Sequence, residues 1–187
     1  MDSFGHNLFD SDKVFISLLE KRNENNKNII DKKIWDLFGN QYAIVFTDMV
    51  GFTKISSEKG IIESVSKIYT MFKILFPCIE KHNGILLSTI ADSMLIVFKK
   101  LNNAIKCSIA MQKTSSENSI ELCIGIGYGK ILKIGDSEVF GSEVNIASKL
   151  GEDIAKKDEI LVSENVYKKL KNKYDLEKRD DHYLMIH

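Results

Sequence analysis

Short apolar runs along this chain alternate with longer stretches in which apolar residues recur every three or four positions. Residues 42–46 form an apolar run that predicts a short buried strand, whereas residues 61–81 place apolar side chains at helical spacing. Pro77, the only proline, lies in the second stretch. It is expected to kink or end the helix, because proline has no backbone N–H and its ring clashes with the preceding turn.

The same patterning predicts the remaining elements of the main part of the chain. Strands are expected at 84–89, 94–98, 120–126, 130–134 and 159–162 and within 174–186, and helices at 103–112, 141–155 and 163–171. Gly127-Tyr128-Gly129 is expected to turn the chain between two of these strands. The order strand, helix, strand, strand, helix, strand predicts an α+β fold, with an antiparallel-rich sheet and helices on one face.

Residues 1–40 differ in pattern from the rest of the chain and are interpreted as a helical N-terminal extension, with the main domain at 41–187. Ser11 or Asp12 is a possible cap for a short amphipathic helix, and a polar linker is expected at 21–27. A second short helix is expected at 31–38, ending at Gly39-Asn40.

Charge balance, cysteine placement and the lengths of apolar runs indicate which partners and which cell compartment to expect. The 187 residues carry 26 lysines and arginines against 26 acidic residues, which argues against nucleic acid or an acidic membrane as the main partner. Cys78, Cys107 and Cys123 are scattered among apolar neighbours, as in reduced cytosolic proteins. No apolar run approaches the roughly 18 residues needed to span a bilayer, and the N-terminus lacks the pattern of a signal peptide. A cytoplasmic protein is expected.

The first candidate for chemistry is Asp48, at the end of the predicted first strand and just before a glycine turn and a helix start. Its carboxylate offers the hard oxygens that Mg²⁺ prefers, and the backbone amides of Gly51, Phe52 and Thr53 are placed to face a triphosphate. A strand-end aspartate also commonly caps the next helix. This pattern alone leaves both interpretations open.

The second candidate is Asp92, in the predicted turn between two strands. A turn aspartate is common, but apolar residues such as Ile90 and Met94 flank this one. If the hairpin lies beside the first strand, Asp48 and Asp92 converge. Two carboxylates that hold a pair of divalent ions clamp the attacking and leaving oxygens of an in-line displacement.

The third candidate pair is Asn145 and Lys149, which lie four residues apart and therefore share one face of the predicted helix. An amide and a cation on one face can hold a ribose and a phosphoryl group. Taken alone, this helix would equally suit a solvated asparagine and a surface lysine.

Three segments together resemble the class III nucleotidyl cyclase family, the adenylate and guanylate cyclase catalytic domains. They are Thr47–Thr53, Asn83–Asp92 and Gly141–Ala147, and the separation of Asp48 and Asp92 is the one that the family's motifs require. The resemblance runs from about residue 41 to residue 170. It implies a ferredoxin-like βαββαβ catalytic domain that closes a nucleoside triphosphate into a 3′,5′-cyclic nucleotide and releases pyrophosphate.

The resemblance also implies roles for single residues. Asp48 and Asp92 would bind two Mg²⁺ or Mn²⁺ ions, Met49 would add its backbone carbonyl, and Asn145 would orient the ribose. The family works as a head-to-tail dimer in which one chain supplies the metal-binding acids and the other supplies the asparagine helix. A homodimer with two composite sites is therefore expected.

Four positions depart from the family pattern, and the smallest change is Ala91 in place of the glycine before the second acid. Ser88 stands where purine cyclases carry lysine for adenine or glutamate for guanine, and Glu138 stands where adenylate cyclases usually carry aspartate or threonine. Lys149 replaces the transition-state arginine, so it keeps the charge but loses the planar fork. Weaker catalysis is expected.

Because of these departures, the sequence does not assign the base of the substrate. ATP is expected first, because it is the commonest substrate in the family. One alternative is a cyclase for CTP or UTP of the phage-defence type. A second is a degenerate domain that binds nucleotide or only dimerises. A third is a metal-dependent phosphohydrolase that shares the two acids by convergence.

Overall fold

The computed structural model describes residues 10–186, apart from the side chains of residues 10 and 53–55. The helices are α1 (Asp10–Lys21), α2 (Lys27–Phe38), α3 (Phe52–Lys59), α4 (Ile61–Lys81), α5 (Leu101–Glu117), α6 (Ser142–Lys149) and α7 (Glu164–Leu170). The strands are β1 (Gly39–Met49), β2 (Ile85–Ile90), β3 (Ser93–Phe98), β4 (Leu122–Ile134), β5 (Glu138–Phe140), β6 (Ile160–Val162), β7 (Asp175–Arg179) and β8 (His182–Ile186). A π-helical segment, Leu150–Ile154, continues directly from α6.

The strands form one sheet in the order β2-β3-β1-β4-β6-β8-β7, with β5 paired to β4. Every pairing is antiparallel except that of β4 with β6. The predicted α+β fold with an antiparallel-rich sheet is confirmed. The central strands β1 and β4 carry the site and its supporting helix.

Helices cover both faces of the sheet, so the prediction of helices on one face is wrong. Ala43 and Val45 of β1 belong to the main core, together with residues of α4, α5 and α7. Ile44, between them, packs in a second core cluster with Ala147 of α6. A run of consecutive apolar residues in a strand is typical of burial on both sides, because side chains alternate between the faces.

Strand β4 is continuous, and the turn predicted at 127–129 is wrong. Its register with β1 is unbroken from the pair Gly39–Leu132 to the pair Met49–Leu122. The glycines have another cause, namely the close approach of α6. A Cβ at Gly125 would lie 2.1 Å from the backbone oxygen of Ala147. Glycine at alternate positions therefore marks one face of a strand that a helix approaches.

Two helix ends also differ from the prediction. Helix α4 passes through Pro77 and continues to Lys81. Pro77 and Lys73, four residues earlier, are both exposed, so the carbonyl that proline leaves without a donor can bond to water. The helix predicted at 141–155 is α-helical only to Lys149, where the π-helical segment begins.

Candidate active site

Asp48 is the penultimate residue of β1, where the strand leaves the buried centre of the sheet. Its carboxylate is half-buried and accepts a hydrogen bond of 2.7 Å at Oδ1 from the hydroxyl of Ser93. Ser93 is the first residue of β3, which pairs with β1 next to this point, as Thr47 lies opposite Met94. Strand pairing therefore places the start of β3 against Asp48.

Asp92 lies in the two-residue turn that joins β2 to β3, directly before Ser93. The preceding residue, Ala91, adopts a left-handed φ of 49°, which strains a residue with a Cβ. Since Ser93 contacts Asp48, its neighbour Asp92 comes to the same end of the sheet. The convergence of the two acids expected from the sequence is present.

Both carboxylates line one cleft of about 680 Å³, which we call the acidic cleft. Gly51 and Phe52, predicted to face a triphosphate, also line it, as does Met49. The remaining charged lining residues are Glu152 of the π-helical segment, Lys156 and Lys157. The Lys157 ammonium pairs with Glu121 at 2.5 Å, whereas Lys156 forms no ion pair with any described residue.

Burial and neighbouring charge raise the pKa of both acids. Burial is the main cause of the raised pKa of Asp48; the bond from Ser93 opposes it, and the charges of Asp92 and Glu152 add to it. The pKa of Asp92 is also raised, first by burial and then by Glu152, against a backbone hydrogen bond that lowers it. Ionisation of Asp48 and Asp92 therefore costs free energy when no metal ion is bound.

This donor set fits a divalent cation of the Mg²⁺ type. Two carboxylates made costly by burial and mutual repulsion are relieved by positive charge, and Mg²⁺ needs only one or two protein carboxylates beside phosphate and water. Within residues 10–186 there is no group of three or more histidine, cysteine or acidic side chains that would form a fuller cage. The other protein ligand expected is the backbone carbonyl of Met49.

Asn145 and Lys149 lie elsewhere in the chain. Both are exposed on α6, and neither lines the acidic cleft. Lys149 lines a second cavity of about 300 Å³, together with Asn165 of α7 and His182 of β8. Within one chain, the α6 pair is therefore not among the residues that line the cleft with the two acids.

The residues expected to select the base also lie outside the acidic cleft. Ser88 is half-buried on the edge strand β2, at a register shift that follows Leu86. Glu138 is exposed on β5. Thr53 falls within α3, but its side chain is outside the described part of the structure.

Among the residues of the cleft that sequence reasoning missed are one hydroxyl and three charged side chains, namely Ser93, Glu152, Lys156 and Lys157. Ser93 could have been found from the sequence. It follows the turn acid Asp92 and begins a strand that pairs with β1, so it lies next to the end of β1. Glu152 could not have been found in this way, since the π-helical segment that directs it into the cleft was not expected from the pattern. Separately, none of the described helices is long and apolar enough to cross a membrane.

Comparison with known proteins places this geometry in a family. The family model described as "Adenylate and Guanylate cyclase catalytic domain" matches residues 39–185. The "Guanylyl cyclase, membrane" of Dictyostelium discoideum is 30% identical over 163 residues, which is 74% of this chain and 11% of that protein. The chain spans a quarter or less of the length of the curated relatives it matches.

Solved structures show the same fold at low identity. The guanylyl cyclase domain of the RhoGC fusion protein from Blastocladiella emersonii superposes with a TM-score of 0.71 at 18% identity, covering 80% of this chain and 97% of that one. The adenylyl cyclase CyaB from P. aeruginosa gives 0.70 at 21% identity, covering 80% and 95%. On the family match across residues 39–185, this chain belongs to the adenylate and guanylate cyclase catalytic domain family.

Proposed function

We propose that this chain is a nucleotidyl cyclase that converts a nucleoside triphosphate into a 3′,5′-cyclic nucleotide and pyrophosphate. The observation that carries the proposal is the convergence of Asp48 and Asp92 in one cleft, beside the backbone of Gly51 and Phe52. Membership of the cyclase family supports the same reaction class. Residues 41–187 would form the catalytic domain.

In this proposal Asp48, Asp92 and the backbone carbonyl of Met49 would hold two Mg²⁺ or Mn²⁺ ions in the acidic cleft. When bound, the ions neutralise the triphosphate and lower the cost of charge that develops on the attacking and leaving oxygens. Ser93 fixes the orientation of the Asp48 carboxylate through its hydrogen bond. The amides of Gly51 and Phe52 face the phosphates.

The site is proposed to be composite, formed between two copies of this chain. The absence of Asn145 and Lys149 from the lining of the acidic cleft supports this arrangement, because a second copy could bring its own α6 to that cleft. Asn145 of the second copy would orient the ribose so that its 3′-hydroxyl faces the α-phosphorus. Lys149 of the second copy would contact the phosphoryl oxygens. Positioning and charge are the sources of rate expected for phosphoryl transfer.

ATP is the substrate proposed first, and a pyrimidine triphosphate is the alternative. Ser88 can donate or accept a hydrogen bond but does not reach as far as lysine, so the side chains that usually distinguish purines are changed here. A second function, a nucleotide-binding or dimerisation module without turnover, is favoured by one observation. Lys149 stands at the position of the family's arginine and lacks its two-pronged contact with phosphate.

The test is incubation of the purified protein with ATP, GTP, CTP and UTP in turn, with Mg²⁺ or Mn²⁺, followed by mass spectrometry of the products. A cyclic monophosphate together with pyrophosphate identifies the reaction and the base. Asp48→Ala is the matched control and is expected to give no product while remaining folded. Bound nucleotide without any product would support the non-catalytic module, and a linear monophosphate would support a phosphohydrolase.

A further inference from the structure

A buried carboxylate lies in the first turn of α6, two residues before Asn145. Glu143 is only 5% exposed, yet it forms no ion pair with any lysine, arginine or histidine of residues 10–186. An ionised carboxylate in such a place is costly unless hydrogen bonds replace its water. Its surroundings must therefore supply donors.

Three donors from three places in the same chain meet this carboxylate. The backbone N–H of Tyr128 in β4 donates to Oε2 at 2.8 Å, and the hydroxyl of Ser163 donates to the same oxygen at 2.7 Å. The side-chain amide of Asn165 donates to Oε1 at 2.7 Å. Hydrogen bonds to a charged group contribute about twice as much as neutral ones. Glu143 therefore ties α6 both to β4 and to the start of α7.

The surface of β4 is shaped to receive this residue. A Cβ at Gly127 would lie 2.3 Å from the backbone oxygen of Glu143 and 3.1 Å from its Oε2. A Cβ at Gly129 would lie 2.6 Å from its Cγ. Glycine at both positions lets the turn of helix that carries Glu143 lie directly on the strand.

The anchored side of α6 determines which side faces outward. Successive residues of an α-helix are rotated by roughly 100°, so Asn145 points about 200° away from Glu143 and Lys149 about 240° away. Asn145 therefore lies on the side away from the anchor. Lys149 lies at the edge of the cavity that Glu143, Ser163 and Asn165 also line. Both Asn145 and Lys149 are exposed. Rotation or a shift of α6 would move both groups at once.

We propose that Glu143 is a positioning residue. It fixes the rotation of α6 about its axis and the distance of α6 from β4, so that Asn145 and Lys149 reach the acidic cleft of a second copy. This inference rests on the proposed composite cyclase site. Glu143 itself is buried and acts only through the helix. A displacement of about 1 Å in such positioning groups is enough to lower turnover by orders of magnitude.

The first experiment compares Glu143→Ala with Glu143→Gln. The alanine variant is expected to lower kcat by at least about tenfold, with unchanged binding of Mn²⁺ to the acidic cleft. Glutamine keeps an acceptor for Tyr128 and Ser163, and Asn165 can rotate its amide to accept from the new NH₂ group. We expect Glu143→Gln to retain activity within about threefold of the wild type. Loss of Mn²⁺ binding in Glu143→Ala, or equal loss of activity in both variants, would overturn the role.

The second experiment mixes Glu143→Ala with a second defective variant and allows the dimers to exchange chains. Glu143→Ala has intact metal-binding acids and a misplaced α6, so it should regain activity with Asp92→Ala, which supplies an intact α6. It should regain none with Asn145→Ala, because both chains are then defective in α6. Rescue by Asn145→Ala, or by neither partner, would overturn the proposal.

Two controls separate the possible failures. The mixture of Asp92→Ala with Asn145→Ala tests the composite dimer alone, and failure there with an active wild type rejects the composite dimer and this inference with it. Asn165→Ala removes the amide that donates to Oε1 of Glu143, and Asn165 is itself exposed. This variant replaces Glu143→Ala in both experiments if Glu143→Ala does not fold. It is expected to show a smaller loss of kcat with the same pattern of rescue, and the opposite pattern would overturn the role.

Discussion

The hydroxyl of Ser93 donates a 2.7 Å hydrogen bond to Oδ1 of Asp48, which joins the first residue of β3 to the end of β1. This bond leaves Oδ2 and the second lone pair of Oδ1 for a cation. It also opposes the rise in the pKa of Asp48 that burial causes. Ser93 thereby keeps the carboxylate both oriented and easier to ionise.

Ser93→Ala is expected to weaken divalent metal binding by about tenfold, the lower range for loss of a group that orients a metal ligand. The variant removes a single buried oxygen and should leave the sheet intact. The measurement is the Mn²⁺ concentration that gives half-maximal turnover, with Ser116→Ala on the exposed side of α5 as the control. Equal metal dependence in wild type and Ser93→Ala would show that the bond has no such role.

Asp92→Asn is expected to stabilise the metal-free protein while it abolishes turnover. The pKa of Asp92 is raised in the folded state, so the folded state binds the proton more tightly than the unfolded chain. The stability of the wild type therefore falls as pH rises from the unfolded pKa through the folded one, and the loss persists at neutral pH. Asparagine removes this component. Thermal unfolding in EDTA should show a rise in Tm of about 1–3 °C.

Added Mg²⁺ provides the internal control for this prediction. Metal that binds only the folded state raises Tm in proportion to its occupancy, and the wild type should gain more than Asp92→Asn. If Asp92→Asn were less stable than the wild type in EDTA, the burial of an unfavourable charge at this position would be refuted.

Much of this fold and site could be predicted because its causes are local in sequence. Asp48 ends an apolar run and Asp92 occupies a turn between two strands, so ordinary pairing of neighbouring strands brings them together. The alternation of strands and helices was likewise enough to predict the α+β fold. The hydrophobic pattern carries this information directly.

What could not be predicted depends on contacts between distant segments. The glycines of β4 resemble a turn in sequence, and only the close packing of α6 explains why a straight strand contains them. Glu143 was passed over for the same reason, since its three donors come from residues 15 to 22 positions away. The position of Glu152 in the cleft depends on the π-helical segment, and the hydrophobic periodicity of the sequence did not predict that segment.

Gly127→Ala is expected to destabilise the protein by about 1–3 kcal/mol, the usual range for overpacking a well-packed core. Its Cβ would meet a backbone oxygen of α6 at 2.3 Å, so relief requires the helix to move. Gly129→Ala should cost less, because its Cβ would meet a side-chain carbon of Glu143 at 2.6 Å and not the helix backbone. Movement of that side chain would still strain the hydrogen bonds of its carboxylate. Urea unfolding of both variants measures the order, and a larger loss for Gly129→Ala would contradict it.

The acid limb of the pH–activity profile is expected to move to lower pH as Mg²⁺ is raised. Both acids must be ionised to bind the metal, and both have raised pKa values in its absence. Protons and Mg²⁺ therefore compete for the same oxygens, and a higher metal concentration displaces the protons at lower pH. Turnover should be profiled at two or more Mg²⁺ concentrations. A limb that stays at the same pH would assign the titration to other groups.

Lys149→Arg is expected to preserve or raise kcat, by up to about tenfold if a second phosphate contact forms. No arginine of this chain is available to make that phosphate contact, because its only two arginines form ion pairs elsewhere. Arg22 pairs with Asp31 at 2.6 Å and Arg179 with Glu159 at 2.8 Å. Lys149 lies at the exposed end of α6, where the larger side chain has room.

The comparison is between kcat and KM in steady-state assays, with Lys113→Arg on α5 as a control for the exchange itself. An arginine that contacts phosphate only as negative charge develops should raise kcat and leave KM nearly unchanged, because it stabilises the transition state more than the bound substrate. A fall in KM with constant kcat would place Lys149 in ground-state binding instead. Loss of turnover in Lys149→Arg but not in Lys113→Arg would mean that the composite site is shaped for the compact ammonium group.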